Sequence, residues 1–268
     1  MLSYYRASIT AGLLLAAATG RQALAAPTRV AVGNGIVDTG RLRPGTTRYL
    51  RYEIHGDRRV ARDIWQRTVA FEVHDGKRLL HLTQRWDEVS PPSGGGSALE
   101  QDSWFDAGTF APITQVRRVT KADGVVVSGF RFTAAGAVGM QELAGNTRRE
   151  FSLPYAELPF NFEYDMELLQ TLPLREGMDA DIPFYDAGID RKAERYHFKV
   201  VGSASIVDWG GREQACWIVT ADYNTGSEKS RFWFDKRSGV LVREEATLPA
   251  GGTLIKTLLP PEAVGAST

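Results

Sequence analysis

Few residues in this chain could do chemistry. Its single cysteine, Cys216, lies in the apolar run Ala215-Cys216-Trp217-Ile218-Val219, where a small buried inert thiol is the expected state. A nucleophilic cysteine needs a base beside it, and no histidine is near it in sequence. The four histidines, His55, His74, His81 and His197, stand in strand-like runs or at turns without the short spacings of a metal site. Each reads as a surface residue. Asp179, Asp181, Asp186 and Asp190 could meet a hard cation, but the stretch lacks the Gly and Glu of a calcium loop. A solvated strand edge and turn is the expectation there. Gly-x-Ser-x-Gly, His-Glu-x-x-His, Cys-x-x-Cys and Gly-x-x-x-x-Gly-Lys are all absent from the sequence, so the usual hydrolase, zinc, redox and phosphate-loop signatures are missing. No catalytic residue, metal ligand set or cofactor is expected.

The elements that would position these residues are strands. In Tyr49 to His55, Leu50, Tyr52 and Ile54 face one way while Arg51, Glu53 and His55 face the other, the alternation of a sheet with one buried face. Similar runs are Trp65 to Val73, Leu79 to Trp86, Ile113 to Lys121, Val125 to Phe132, Thr147 to Leu153, Tyr196 to Val207, Ala215 to Tyr223, Ser230 to Phe234, Val240 to Thr247 and Thr253 to Leu259. Asp75-Gly76 and Asp123-Gly124 fall between strand-like runs, and Gly tolerates the positive φ of tight hairpins. Neighbouring strands are therefore read as antiparallel. Residues 89–100, with Pro91-Pro92-Ser93 and Gly94-Gly95-Gly96, read as a flexible loop.

One segment breaks the pattern. Phe160 to Leu172 is dense in Phe160, Phe162, Tyr164, Met166, Leu168 and Leu169, with Leu158-Pro159 to open a short helix and Pro173 to close it. The simplest place for an apolar helix is the concave face of a sheet. The fold class is thus mainly β with one short helix: a strongly curved antiparallel sheet or unclosed barrel of about 11–12 strands wrapped around that helix. A small helix capping an ordinary sandwich is the alternative.

There is also an internal echo. Trp104-Phe105-Asp106 and Trp233-Phe234-Asp235 each end a strand-like run and precede a turn and a second strand. The Asp suits a side chain accepting amide hydrogen bonds two or three residues on, and the aromatic pair would pack on both faces of the sheet. With the following Val240-Leu241-Val242-Arg243 strand and a Gly-containing hairpin, this element resembles the lipoprotein-carrier superfamily that includes LolA and LolB. The likeness is strongest from Tyr196 to Leu259. It implies an unclosed barrel of about eleven antiparallel strands around helical plugs, with an apolar cavity for acyl chains. The chain is longer than those carriers and offers one helix, so no ligand-binding residue is carried over; Trp233, Phe234 and Asp235 take a structural role. The cavity candidates, chosen as aromatic or aliphatic residues of the helix and the best-matching strands, are Phe160, Phe162, Met166, Leu169, Trp217 and Trp233.

The amino terminus reads as an export signal over residues 1–25, with Arg6 ahead of an uncharged apolar run and Ala23-Leu24-Ala25 at the cleavage point. The run stops at Gly20-Arg21, short of the roughly 20 apolar residues of a span. Residues 26–268 then form a single β-rich domain with a loose tail at 260–268. Its expected place is the periplasm, with no transmembrane segment after cleavage. Losing Arg6 and Arg21 leaves 30 basic residues against the 32 acidic ones; with no basic block, nucleic acid is not an expected partner. Six Trp and twelve Phe favour a non-enzymatic binding or carrier protein for an apolar lipid or acyl-chain ligand. The alternative is an envelope structural or interaction module with a filled core and a protein partner.

Overall fold

The alternating runs fold into one sheet. The computed structural model describes residues 26–89, 98–189 and 191–261; the expected leader, most of the Pro/Gly-rich loop, Asp190 and the tail beyond 261 lie outside the described residues. Strands are numbered in chain order. After β1 (Thr28–Arg29), a first meander runs through β2 (Gly45–His55), β3 (Arg58–His74), β4 (Lys77–Glu88), β5 (Ala98–Asp106), β6 (Pro112–Lys121), β7 (Gly124–Phe132), β8 (Gly136–Gly139) and β9 (Ser152–Pro154). Strand β10 (Phe160–Asn161) leads through a short 3-10 turn into the helix α1 (Asp165–Gln170). A second meander then follows, β11 (Asp179–Tyr185), β12 (Glu194–Val207), β13 (Glu213–Ala221), β14 (Ser230–Asp235), β15 (Leu241–Thr247) and β16 (Thr253–Leu258).

The last strand joins the two halves. Strand β16 pairs antiparallel with β2, Tyr49 opposite Leu258 and Ile54 opposite Thr253, giving the order β1-β11-β12-β13-β14-β15-β16-β2-β3-β4-β5-β6-β7-β8-β9. The ladder does not close on itself. Side chains span the seam instead: Asn161 Nδ2 donates to Gln115 Oε1 at 2.5 Å, Arg117 lies 3.6 Å from Glu163, and the Phe132 and Tyr185 rings meet at 6.4 Å.

The sheet holds 16 strands, more than the sequence shows by alternation. The additional ones are β1, β5, β8, β10 and β11, of which β5 shows in the sequence only through its Trp104-Phe105-Asp106 end. Strands β1, β8 and β10 have two to four residues, too few for a period to show. In β11, Asp179, Asp181 and Pro183 hide an inward row of Ala180, Ile182 and Phe184. Pro183 is tolerated because the parallel stubs β1 and β10 pair with residues 180–181 and 184–185, leaving its missing donor in the gap between them. Of the expected strand Thr147 to Leu153, only the end is paired, as β9. Within the expected loop 89–100, residues 98–100 are strand, since pairing resumes at Ala98.

The helix is six residues long, shorter than Phe160 to Leu172. Phe160 and Asn161 are drawn into pairing with β11, Asn161 Oδ1 accepts from the Glu163 amide at 3.1 Å, and Pro173 stops extension. It lies in the concavity, where Met166, Leu168 and Leu169 have no exposed surface. One apolar cluster around it draws on both meanders; a smaller one, Phe130, Phe132, Ala137, Phe151 and Tyr185, seals the seam. Among the described residues no helix is long and apolar enough to cross a membrane.

Candidate functional site

Four of the six cavity candidates meet at the helix. Phe160, Met166 and Leu169 are fully buried, and Phe162 packs its ring 5.5–5.9 Å from Phe184, Tyr223 and Tyr196. They fill the concavity with their own side chains. Trp233 is not among them: in β14, Phe232 and Phe234 are buried inward and half-buried Trp233 alternates to the outer face. Trp217 is half-buried with the Lys236 ammonium 3.7 Å over its ring.

The concavity also holds charge, which alternation does not reveal. Arg67 of β3 is 2% exposed and forms a two-pronged pair with Glu167 of α1, its Nε 2.7 Å from Oε1 and its Nη2 on Oε2. Two more of its hydrogens go to Gln84 Oε1 at 2.9 Å and the Glu163 carbonyl at 3.1 Å. Gln84 Oε1 also accepts from Trp65 Nε1 at 3.0 Å. Arg67 at 4.3 Å and Lys256 at 4.2 Å lie over the Trp65 ring, which stacks on Trp86. Lys256 is paired with Glu244. Half-buried Asp165 beside them has its carboxyl pushed up to about 7, first by desolvation and then by the Glu244 charge. The Arg67–Glu167 pair ties the helix to β3, and Lys256 reaches Met166 Sδ of the helix at 3.4 Å.

The echo is a structural duplication. Asp106 Oδ1 accepts from the Gly108 and Thr109 amides at 3.0 and 2.9 Å, and Asp235 Oδ1 from those of Arg237 and Ser238 at 3.2 and 2.6 Å. Each Asp carbonyl then accepts from the residue four on, Phe110 or Gly239, and both of these adopt positive φ, 60° and 75°. A register shift falls between Trp and Phe in both strands. Phe105 and Phe234 point into the core with no exposure, so the aromatic pairs do divide between the faces.

Two open spaces lie on the outside of the sheet. A groove of about 930 Å³ runs over the outer face of β2, β15 and β16, walled by the tip of the β12–β13 hairpin. Leu50, Tyr52, Val207, Trp209, Val242 and Leu259 supply its apolar lining, with Arg59, Arg212 and Arg243 at its edge. Trp209 is 61% exposed. The tip is fixed by Asp208, whose Oδ1 accepts from the Gly210 and Arg212 amides at 2.9 Å and whose Oδ2 accepts from Gln214 at 2.8 Å. Those bonds, the Arg212 amide first, hold its carboxyl below the usual range. A second hollow of about 890 Å³ adjoins it, sharing Arg212, Gln214 and the 258–261 segment; the Leu259 amide donates to the Arg48 carbonyl at 2.8 Å and anchors that segment.

Residues 51–258, which carry both meanders and most of the groove, match a family model described as a protein of unknown function, DUF3108. The chain belongs to the DUF3108 family. No curated protein matches it. Among the solved structures that resemble it, two are at low identity. A DUF1089 family protein from Pseudomonas aeruginosa has 12% identity and a TM-score of 0.36, covering 66% of this chain and 87% of its own. A DUF1329 family protein from Desulfovibrio piger has 11% identity and a TM-score of 0.31, covering 83% and 86%.

In this DUF3108 chain the remaining chemical candidates are engaged elsewhere. Cys216 has no exposure, and burial pushes its thiol up to about 11. Asp181 accepts from Arg195 at 2.9 Å and Asp179 contacts His197 at 2.8 Å; both carboxylates serve as ion-pair partners. Among the described residues no group of three or more His, Cys, Asp or Glu is placed to hold a metal. His81 is half-buried, unlike the surface residue expected. Its ring stacks on Trp104 at 3.9 Å, with Nδ1 2.9 Å from Glu72 and Nε2 2.9 Å from Asp102. The groove went unread in the sequence because its walls come from distant strands, although Trp209 beside Gly210-Gly211, a large aromatic at a turn, was a visible signal.

Proposed function

We propose that this protein is a non-catalytic binding or carrier protein of the periplasm for an apolar, acyl-chain-bearing ligand, and that the ligand lies in the outer groove. The observation carrying this reading is the trough of about 930 Å³ with Leu50, Tyr52, Val207 and Trp209 open to it. Its size falls within the roughly 300–1,000 Å³ of small-molecule sites. Covering an exposed Trp and its aliphatic neighbours with an acyl chain removes apolar area from water, the general drive for such binding. The likeness of the Trp233-Phe234-Asp235 element to lipoprotein carriers supports the carrier role, and the export-signal pattern read in the sequence of residues 1–25 supports the compartment.

A fluorescent fatty acid titrated into the mature protein tests it. Saturable uptake, competed by unlabelled fatty acid and weakened several-fold by Trp209→Ser, is the expected result. Absence of saturable binding overturns it. The second reading, an envelope interaction module, draws support from the filled concavity around Met166 and Leu169; it predicts no fatty-acid binding and a protein captured through the same exposed hairpin.

A further inference from the structure

We infer that the ligand is an amphiphile with an anionic head group, which sits in the hollow adjoining the apolar groove. The inference rests on the reading that the groove takes the acyl chain, and adds what lies at the chain's end. The two spaces are chemically unlike. The groove is lined mainly by carbon, whereas the adjoining hollow brings Arg43, Arg212, Lys236 and Arg237 around it against two carboxylates, Glu213 and Asp235. The whole chain carries no net charge, so this local excess of cations is a property of the fold.

One carboxylate is already committed. Asp235 accepts from the Arg237 and Ser238 amides, and so its charge is directed into the turn. The cations are placed by their surroundings: the Lys236 ammonium lies 3.7 Å over Trp217, and Arg43 Nη2 reaches the Arg237 carbonyl at 3.3 Å. Arg212 faces both spaces, is 76% exposed, and has Asp208 as a partner at 3.5 Å. A single molecule lying across the 258–261 segment would put its tail against Tyr52 and Trp209 and its head between Arg212 and Arg237. Guanidinium groups bind carboxylate and phosphate oxygens in paired hydrogen bonds, so those are the head groups that fit. The occupant is therefore a lipid-like monomer, not a free anion.

Competition against a bound fluorescent fatty acid, with dodecyl phosphate, dodecanol and inorganic phosphate as competitors, tests this on the intact mature protein. Dodecyl phosphate is expected to bind about ten-fold more tightly than dodecanol at low ionic strength, with the gap closing as salt screens the exposed charges. The double variant Arg43→Gln/Arg237→Gln should lose most of that gap while dodecanol binding stays unchanged. The salt titration on the wild type gives the same answer should the variant fold poorly. Equal affinity for the two amphiphiles overturns the head-group site and leaves the acyl groove standing. Displacement by inorganic phosphate as effective as by dodecyl phosphate overturns the amphiphile. Failure of both amphiphiles to bind overturns the groove itself.

Discussion

A buried guanidinium is tolerated only when its charge and donors are answered, and Arg67 is answered by Glu167, Gln84 and the Glu163 carbonyl. Removing one partner strands the other, so Arg67→Met is expected to cost about 3–5 kcal/mol. Arg67→Met/Glu167→Leu should cost less than the single change, because both charges leave together; urea unfolding of the three proteins checks this. His81 follows a different logic. The hydrogen bond to Asp102, opposed by partial burial and helped by Glu72, raises its pKa above the ordinary 6.5. A raised folded-state value means protons bind the native state more tightly, so the stabilisation is complete below pH 6.5 and is lost as pH rises through the folded value. His81→Gln is expected to cost about 1 kcal/mol in mild acid and little in mild base. A cost that does not change with pH would contradict the assignment.

Among elements, the two Asp turns show one backbone solution filled in two ways. Position 239 takes glycine at φ 75°, and a Cβ there would meet no atom closer than 3.9 Å, so Gly239→Ala should cost only the backbone strain, about 1 kcal/mol. Position 110 takes a phenylalanine at φ 60° whose ring is fully buried against Phe105. There Phe110→Gly relieves the strain yet removes a core ring, and a loss of about 3–5 kcal/mol is expected. Thermal unfolding of both variants tests the contrast, and equal losses would contradict it. The β12–β13 hairpin has the opposite character: its tip is ordered by Asp208 while its Val207 and Trp209 side chains stay in solvent, which suits an element that presents a surface.

For the whole molecule, the C-terminal strand has a central place in the sheet. Strand β16 lies between β15 and β2, and among the described residues its ladder with β2 is the one that joins the meanders. A chain ending at Gly252 would leave two edges with unpaired backbone groups and an uncovered core. It is expected to lose cooperative unfolding and near-ultraviolet circular dichroism, whereas a cooperative transition would show that the meanders are independent. Pairing Tyr49 with Leu258 also closes nearly the whole chain, so the β16–β2 ladder should form late in folding.

Period two along Tyr49 to His55, the Asp75-Gly76 hairpin with φ of 51° and 76°, and the apolar density around Met166 determined strand identity and the short helix by themselves. These are local signals, since side-chain alternation and turn conformation depend on neighbours in sequence. The Trp-Phe-Asp echo was legible for the same reason: its hydrogen bonds span four residues. The face of β2, however, is the reverse of the one its alternation suggests: Leu50 and Tyr52 line the outer groove, while Arg51 lies inward over Trp65 and pairs with buried Asp63. Which face Trp233 occupies, the pairing of Arg67 with Glu167 a hundred positions away, and the stubs β1 and β10 beside Pro183 came from tertiary structure alone. So did the site. Its apolar wall combines residues near 50, 207, 242 and 259 and its basic end residues near 43, 212 and 237, and only the sheet order that sets β16 against β2 makes them neighbours.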